Sequence, residues 1–194
     1  MSLRHALLAL LSAQPMTGYD VYRYFDSSLS YVWHAPHTQI YPELRRLEDS
    51  GLVRSEEISR GERGRKRRYH ISAAGLDEFR RWVNEPLPLQ RERDAHKLKA
   101  AYFEWAEPAA ARRQLQAHIA HYELWAQQWE DLVDALTARE VPLLQRRLEH
   151  APAEQHEAII RYKVFAYEGM IRRAKAEIDW ARIGLDLVAE LEGQ

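Results

Sequence analysis

Apolar residues recur at helical spacing along most of the chain, and the breaks between these runs divide it in two. Residues 2–13 place Leu3, Leu7, Leu10 and Leu11 on one face behind a capping Ser2. Gln14-Pro15-Met16 interrupts that run, and Thr17 caps a second helix whose inner side is Val21, Tyr24 and Phe25. Tyr19 falls off that stripe in the first turn, where a hydroxyl beside a helix amino end suits a phosphate and simple packing is the competing role. A third helix carries Ile40, Leu44 and Leu47 on one face, with Arg45, Arg46, Glu48 and Asp49 elsewhere, and Ser50-Gly51 stops it. Pro42 fits if that helix starts near Thr38 as its N-cap, since only a first-turn bond is then lost. Residues 52–59 and 67–72 suit an antiparallel pair of strands. A helix over 72–85, with Leu76, Phe79 and either Trp82 or Val83 inward, ends at Pro86-Leu87-Pro88.

The second half is helical throughout. A helix over 91–106 precedes a longer one in which Leu115, Ile119, Tyr122, Ala126, Trp129, Val133 and Leu136 alternate at steps of four and three, the seam of a coiled coil. After Val141-Pro142 and a short helical stretch, Ile160, Val164, Tyr167, Ile171, Ala174, Ile178, Ala181, Leu185 and Val188 repeat the device. That last helix, roughly 35 residues, extends about 50 Å. Its second apolar face includes Ile159, Tyr162, Met170, Trp180 and Ile183, so it needs two partners. One is the helix around Tyr122 and the other a second copy of the chain. A homodimer is therefore expected, with Ile160, Val164, Tyr167, Ile171, Ile178 and Leu185 as dimerisation residues.

The fold class expected is mainly α with a small β-hairpin: a winged helix-turn-helix domain over 1–86 and a long-helix dimerisation domain over 87–194. A linker over 27–36 carries Trp33, whose area anchors it in one half or the other.

Charge sharpens this picture locally and not globally. The chain has 28 Lys and Arg against 29 Asp and Glu, a net charge of −1. Yet RGERGRKRR at 60–68 holds six basic residues and one acid around Gly61 and Gly64. A basic loop is often only a solvated surface, but this one follows a helix presenting His37, Thr38, Gln39, Tyr41 and Arg45. Side chains at the start of that helix suit base edges in a major groove, and Arg63, Arg65, Lys66 and Arg68 suit flanking phosphates or a minor groove. Double-stranded DNA is the expected partner.

Three stretches resemble the PadR family of transcriptional regulators: LL at 10–11 leading to MTGYD at 16–20, QIYPELRRLEDSGLV at 39–53, and GRKRRYHISAAG at 64–75. The resemblance covers about the first 85 residues, and the length of the remainder is similar to the longer subfamily, whose carboxy-terminal helices form the dimer. It implies DNA contacts by Tyr41 and Arg45 and by Arg65, Lys66 and Arg68 of the wing. Ser72 stands where the family usually has threonine and should still cap the next helix. Some members bind phenolic acids or planar drugs, which implies a small aromatic effector near Tyr122, Trp125 and Trp129; filling of the helix seams is the competing role for these aromatics.

No cysteine is present, so disulfides and thiol chemistry are excluded. No apolar run approaches the ~18 residues of a membrane span, and a cytoplasmic protein is expected. His118 and His121, or His34 and His37, have metal-compatible spacing without a third ligand, so no metal or other cofactor is expected. No phosphate loop, dinucleotide fingerprint, zincin motif or activated nucleophile is recognisable, which argues against an enzyme. The expected function is a homodimeric, sequence-specific transcriptional repressor that reads a palindrome; activation depends on operator position and is not distinguished. The alternative is a winged-helix protein-interaction module, which has no need of the wing charge.

Overall fold

The computed structural model describes residues 3–25, 37–59, 65–88 and 93–193, with the backbone alone at His37. Ser2, Trp33, His34 and Arg63 lie outside these residues. The chain forms two compact units, one of residues 1–88 with 142–151 and the other of 89–141 with 152–194. The short stretch after Val141, assigned from sequence to the second half, thus clusters with the first unit.

The first unit opens with α1 (Leu3–Leu11), whose Leu7, Leu8, Leu10 and Leu11 are buried. A two-residue strand β1 (Met16–Thr17) leads into α2 (Gly18–Tyr24). Thr17 caps α2 in a full capping box: its Oγ1 accepts from Asp20 N at 3.2 Å, and its own N–H donates to the Asp20 carboxylate at 3.1 Å. Helix α3 (His37–Asp49) buries Ile40, Leu44 and Leu47 completely or nearly so, as its apolar spacing requires. Its end is a Schellman turn: Gly51 has φ +71°, its N–H donates to Glu48 O, and Leu52 N–H donates to Leu47 O, both at 2.9 Å.

The start of α3 differs from expectation. Thr38 lies inside the helix and is not its N-cap, so Pro42 is an interior proline. The amide that Pro42 lacks would have reached the Thr38 carbonyl, and Thr38 is exposed, where water can serve instead.

Strands β2 (Val53–Ser59) and β3 (Arg65–Ile71) pair antiparallel from Val53↔Ile71 to Ser59↔Arg65. Arg65 and Lys66, expected in the loop, are therefore strand residues. β1 adds a third strand, Met16↔Tyr69 and Thr17↔Arg68, giving the order β1-β3-β2. Two residues cannot show an alternating pattern, so β1 was invisible in the sequence.

Ser72 caps α4 (Ala73–Asn84) by accepting from Gly75 N at 3.0 Å while donating to Gly51 O at 2.7 Å. Phe79 packs on the core and Trp82 stacks on His5, with Val83 on the exposed side. Helix α5 (Ala95–Ala100) is far shorter than the 91–106 expected, because Asp94 caps it by accepting from His96 N and Lys97 N, both at 3.0 Å; Phe103–Trp105 is a separate 3-10 turn. Helix α7 (Pro142–Glu149) contributes buried Leu144 and Leu148 to the first unit, and its Arg147 donates to Ser12 Oγ at 3.0 Å.

In the second unit α6 (Pro108–Thr137) and α8 (His156–Glu192) run antiparallel, as the pairs Arg112–Glu192, His118–Glu177 and Glu130–Lys175 require. Leu115, Ala126, Trp129 and Leu136 of the expected α6 seam are buried, whereas Ile119, Tyr122 and Val133 are half-buried and His118 takes an inner place. Ile160, Ile171 and Ile178 of α8 are buried within the single chain, and Val164, Tyr167 and Leu185 are partly so. Of the six expected dimerisation residues, Ile160, Ile171 and Ile178 thus have little area left for a second copy to bury, whereas Val164, Tyr167 and Leu185 keep part of theirs. The apolar residues still exposed on α8 are Tyr162, Phe165, Ile183, Leu187 and Leu191. Among the described residues no helix is long and apolar enough to cross a membrane.

A Cβ on Gly75 would lie 2.1 Å from Leu52 O. Gly75→Ala should therefore lower unfolding free energy by at least the ~1–3 kcal/mol typical of overpacking, against about 1 kcal/mol for the lost cap in Ser72→Ala, as read by urea denaturation.

Candidate nucleic-acid interface

The inward stripe of α3 leaves its polar face outward, and the Schellman turn folds the hairpin back beside that face. Between them lies an open groove of about 550 Å³ lined by Thr17, Gly18, Tyr19, Tyr41, Arg45, Arg65, Lys66, Arg67 and Tyr69. It gathers five expected site residues, Tyr19, Tyr41, Arg45, Arg65 and Lys66, from three separate stretches of chain. Thr38 and Gln39 are exposed on the first turns of α3 without lining the groove, and Arg68 lies on β3 outside its lining.

Gly18 is a site residue that the sequence reading missed. A Cβ there would stand 2.5 Å from Tyr41 Cε1, so the bare backbone is the surface on which the tyrosine ring rests. Arg67 and Tyr69 were also missed; the basic run flagged Arg67 only as one charge among many. The helix amino end beside Tyr19 is not a free anion site, since the capping box sets the Asp20 carboxylate there. Tyr19 is 54% exposed, which favours its hydroxyl as a contact over a packing role.

The hairpin's positive charge is partly neutralised. Arg65 pairs with Glu57 at 2.8 Å, Arg67 with Glu48 at 3.1 Å and Arg68 with Glu56 at 3.6 Å. Glu56 also meets His70 at 2.9 Å, and that hydrogen bond, with nearby Arg68 and Arg54, holds its carboxyl below the usual range. Arg45 and Lys66 have no carboxylate partner among the described residues. Burial and Glu48 push the Tyr69 hydroxyl up, so it remains a neutral phenol that can donate.

A second concavity, about 440 Å³, lies between α5 and α6 and is lined by Ala95, His96, Lys99, Gln114, Ala117, His118, His121 and Tyr122. Of the expected ligand residues it contains Tyr122 alone. Trp129 is buried, edge-to-face with Trp125 at 5.3 Å, and Trp125 lies against His121 of the lining at 4.9 Å. Beside this cleft His118 meets Glu177 at 3.1 Å, Glu177 meets Lys97 at 2.8 Å, and Lys97 meets Asp94 at 2.8 Å. Lys97 also lies over the Trp180 ring at 5.0 Å. Among the described residues no group of three or more His, Cys, Asp or Glu is placed to hold a metal ion.

The network fixes a pH dependence. Asp94 is held at about 2, first by its side-chain bond from Lys97; burial opposes the lowering at Glu177, but bonds from Lys97 and His118 outweigh it. Both carboxyls thus contribute stability that is present above the unfolded-state values near 4 and lost as pH falls toward 2. Between pH 6 and pH 3 the thermal midpoint should fall less in an Asp94→Asn/Glu177→Gln variant than in the parent.

The pattern of the Transcriptional regulator PadR-like family matches residues 7–81. A probable transcriptional regulator of Mycobacterium tuberculosis is 42% identical over 91 residues, 47% of this chain and 48% of that protein. The negative transcriptional regulator PadR of Bacillus subtilis is 36% identical over 103 residues, 52% of this chain and 56% of the other. The match spans about half the length of these curated relatives. In structure, Bacillus subtilis PadR in complex with operator DNA superposes with a TM-score of 0.75 at 24% identity, covering 96% of this chain and 98% of the other. The same protein in complex with p-coumaric acid gives 0.68 at 22%, with the same coverage. At these identities the superpositions establish the winged-helix fold with its long carboxy-terminal helix.

Proposed function

We propose that this chain, whose residues 7–81 belong to the PadR-like family of transcriptional regulators, is a homodimeric, sequence-specific DNA-binding repressor that reads a palindromic operator beside the genome in the cytoplasm. The observation that carries this reading is the groove, where Tyr19, Tyr41 and Arg45 meet Arg65 and Lys66 with two of the cations unpaired among the described residues. Arg45 and Lys66 can each neutralise a phosphate and release a counterion with no ion pair among the described residues to break. Arg65 and Arg68 must first exchange a carboxylate for a phosphate, so they add less net affinity. Tyr41, seated on Gly18, offers a ring and hydroxyl at a fixed height in the groove, while Thr38 and Gln39 face outward one turn earlier. His37 and Arg63 are assigned to the same surface on sequence grounds.

The dimer reading rests on Tyr162, Phe165, Ile183, Leu187 and Leu191, a set of large apolar side chains left exposed along α8. A two-fold dimer carries two grooves, which suits half-sites about 10 bp or a multiple apart. Phe165→Glu should shift sedimentation toward the monomer without loss of helicity.

An aromatic effector fits this reading as well. Bacillus subtilis PadR is known in complex with p-coumaric acid, and the cleft between α5 and α6 offers Lys99, His96 and His121 for a carboxylate and Tyr122 for a ring. The expected ligand residues are thereby narrowed to Tyr122, with Trp125 as a reporter one ring away and Trp129 as core. Titration with p-coumaric acid should change tryptophan fluorescence in the parent and not in Lys99→Gln/His121→Ala; no change in either contradicts an effector in this cleft.

The DNA reading is tested by affinity for mixed-sequence duplex across salt. Lys66→Gln and Arg45→Gln should each flatten the log–log salt slope by about one unit, and Arg68→Gln by less. Gly18→Ala should weaken binding with an unchanged slope, because it moves Tyr41 and removes no charge. Unchanged slopes in Lys66→Gln and Arg45→Gln would defeat the reading.

A further inference from the structure

Glu48 stands on the last turn of α3, where acidic side chains oppose both the helix dipole and an approaching polyanion. Charge alone would favour its absence. Its carboxylate is nonetheless engaged from both strands of the hairpin: Ser55 of β2 donates its hydroxyl, and the Arg67 guanidinium of β3 lies at 3.1 Å. The guanidinium is thus tied to α3 while its side chain remains 54% exposed and lines the groove with Tyr69.

We propose that Glu48 is a positioning residue for DNA recognition: by clamping Arg67 against α3 it turns that arginine from a diffuse phosphate contact into a fixed element of sequence discrimination. The proposal rests on the DNA-binding reading of the groove. The physical basis is entropy and charge together. A free arginine samples many rotamers and finds any phosphate, which strengthens binding to all sequences alike. A guanidinium pinned through one edge keeps its remaining donors in a planar fork whose direction is set, the geometry that discriminates one acceptor pair from another. The paired carboxylate also cancels much of its charge, lowering non-specific attraction. Lys66 and Arg45 then supply affinity, while Arg67 supplies selectivity.

The test uses the full chain. Random duplex is selected on the parent, Glu48→Gln and Asp49→Asn in parallel, and the affinity ratio of the parent's enriched duplex to a scrambled duplex is measured for each. Glu48→Gln keeps the side chain's shape and can still accept from Ser55. Asp49 is exposed, adjacent and without an ion pair among the described residues, so its substitution controls for the change in net charge alone. The ratio should fall on the order of tenfold in Glu48→Gln, the scale of one discriminating contact, with scrambled-duplex affinity unchanged or raised, and it should hold in Asp49→Asn. In an Arg67→Gln background, Glu48→Gln should cost nothing more.

Equal effects of the two acidic substitutions would overturn the proposal, as would a fall in specific and non-specific binding together or a full Glu48→Gln effect without Arg67. Should Glu48→Gln not fold, Arg67→Gln alone decides: a ratio at the parent's value overturns the proposal. If the parent itself enriches no motif, the DNA reading fails and not the role of Glu48.

Discussion

The burial of Ile40, Leu44 and Leu47 is the constraint on which the rest of the first unit depends. With these side chains locked into the cluster that also holds Leu7, Leu11, Met16 and Val21, α3 cannot rotate, and its Tyr41–Arg45 face has to point outward. The same constraint sets where the helix ends. Leu47 and Leu52 are both buried across the Schellman turn, and only Gly51 takes the left-handed conformation between them without strain. That turn delivers β2 beside α3, β3 follows by register, and the groove is the space left over. Its chemistry is thus a by-product of where the core lies.

Glycines fix the two closest approaches in this arrangement. Gly18 lets the Tyr41 ring rest on backbone, and Gly75 lets α4 approach the Leu52 carbonyl. The electrostatics then divide labour. Cations with a carboxylate partner, Arg65, Arg67 and Arg68, are oriented and partly neutralised; Arg45 and Lys66 have no such partner among the described residues. A count of positive charges along residues 60–68 misses this distinction, because the glutamates that make it lie on α3 and β2.

Much of this was legible beforehand. The stripes of α1, α3 and the two long helices, the caps at Thr17 and Ser72 and the stop at Gly51 all rest on local spacing and local chemistry, and the structure follows them. What was missed is non-local or too short to carry a period. β1 has two residues; Gly18 matters because of a ring 23 positions away; α7 looks like any short amphipathic helix until its leucines are seen in the first unit. The α8 seam shows a different limit. Heptad spacing reveals that Ile160, Ile171 and Ile178 face another helix but not whose, and single-chain burial assigns that helix to α6. Similarly, a run of tryptophans marks an aromatic region without telling cavity from core, so Trp129 was grouped with Tyr122 although only Tyr122 lines the cleft.

The central claim is that the surface of Tyr19 and Tyr41 is where duplex DNA sits. Hydroxyl-radical oxidation of the protein with and without bound duplex, read residue by residue by mass spectrometry, tests it most directly. Oxidation of Tyr19 and Tyr41 should fall on binding while Tyr102, in the other unit and about as exposed as Tyr19, is unchanged. Protection elsewhere, with Tyr19 and Tyr41 as reactive as in the free protein, would contradict the account.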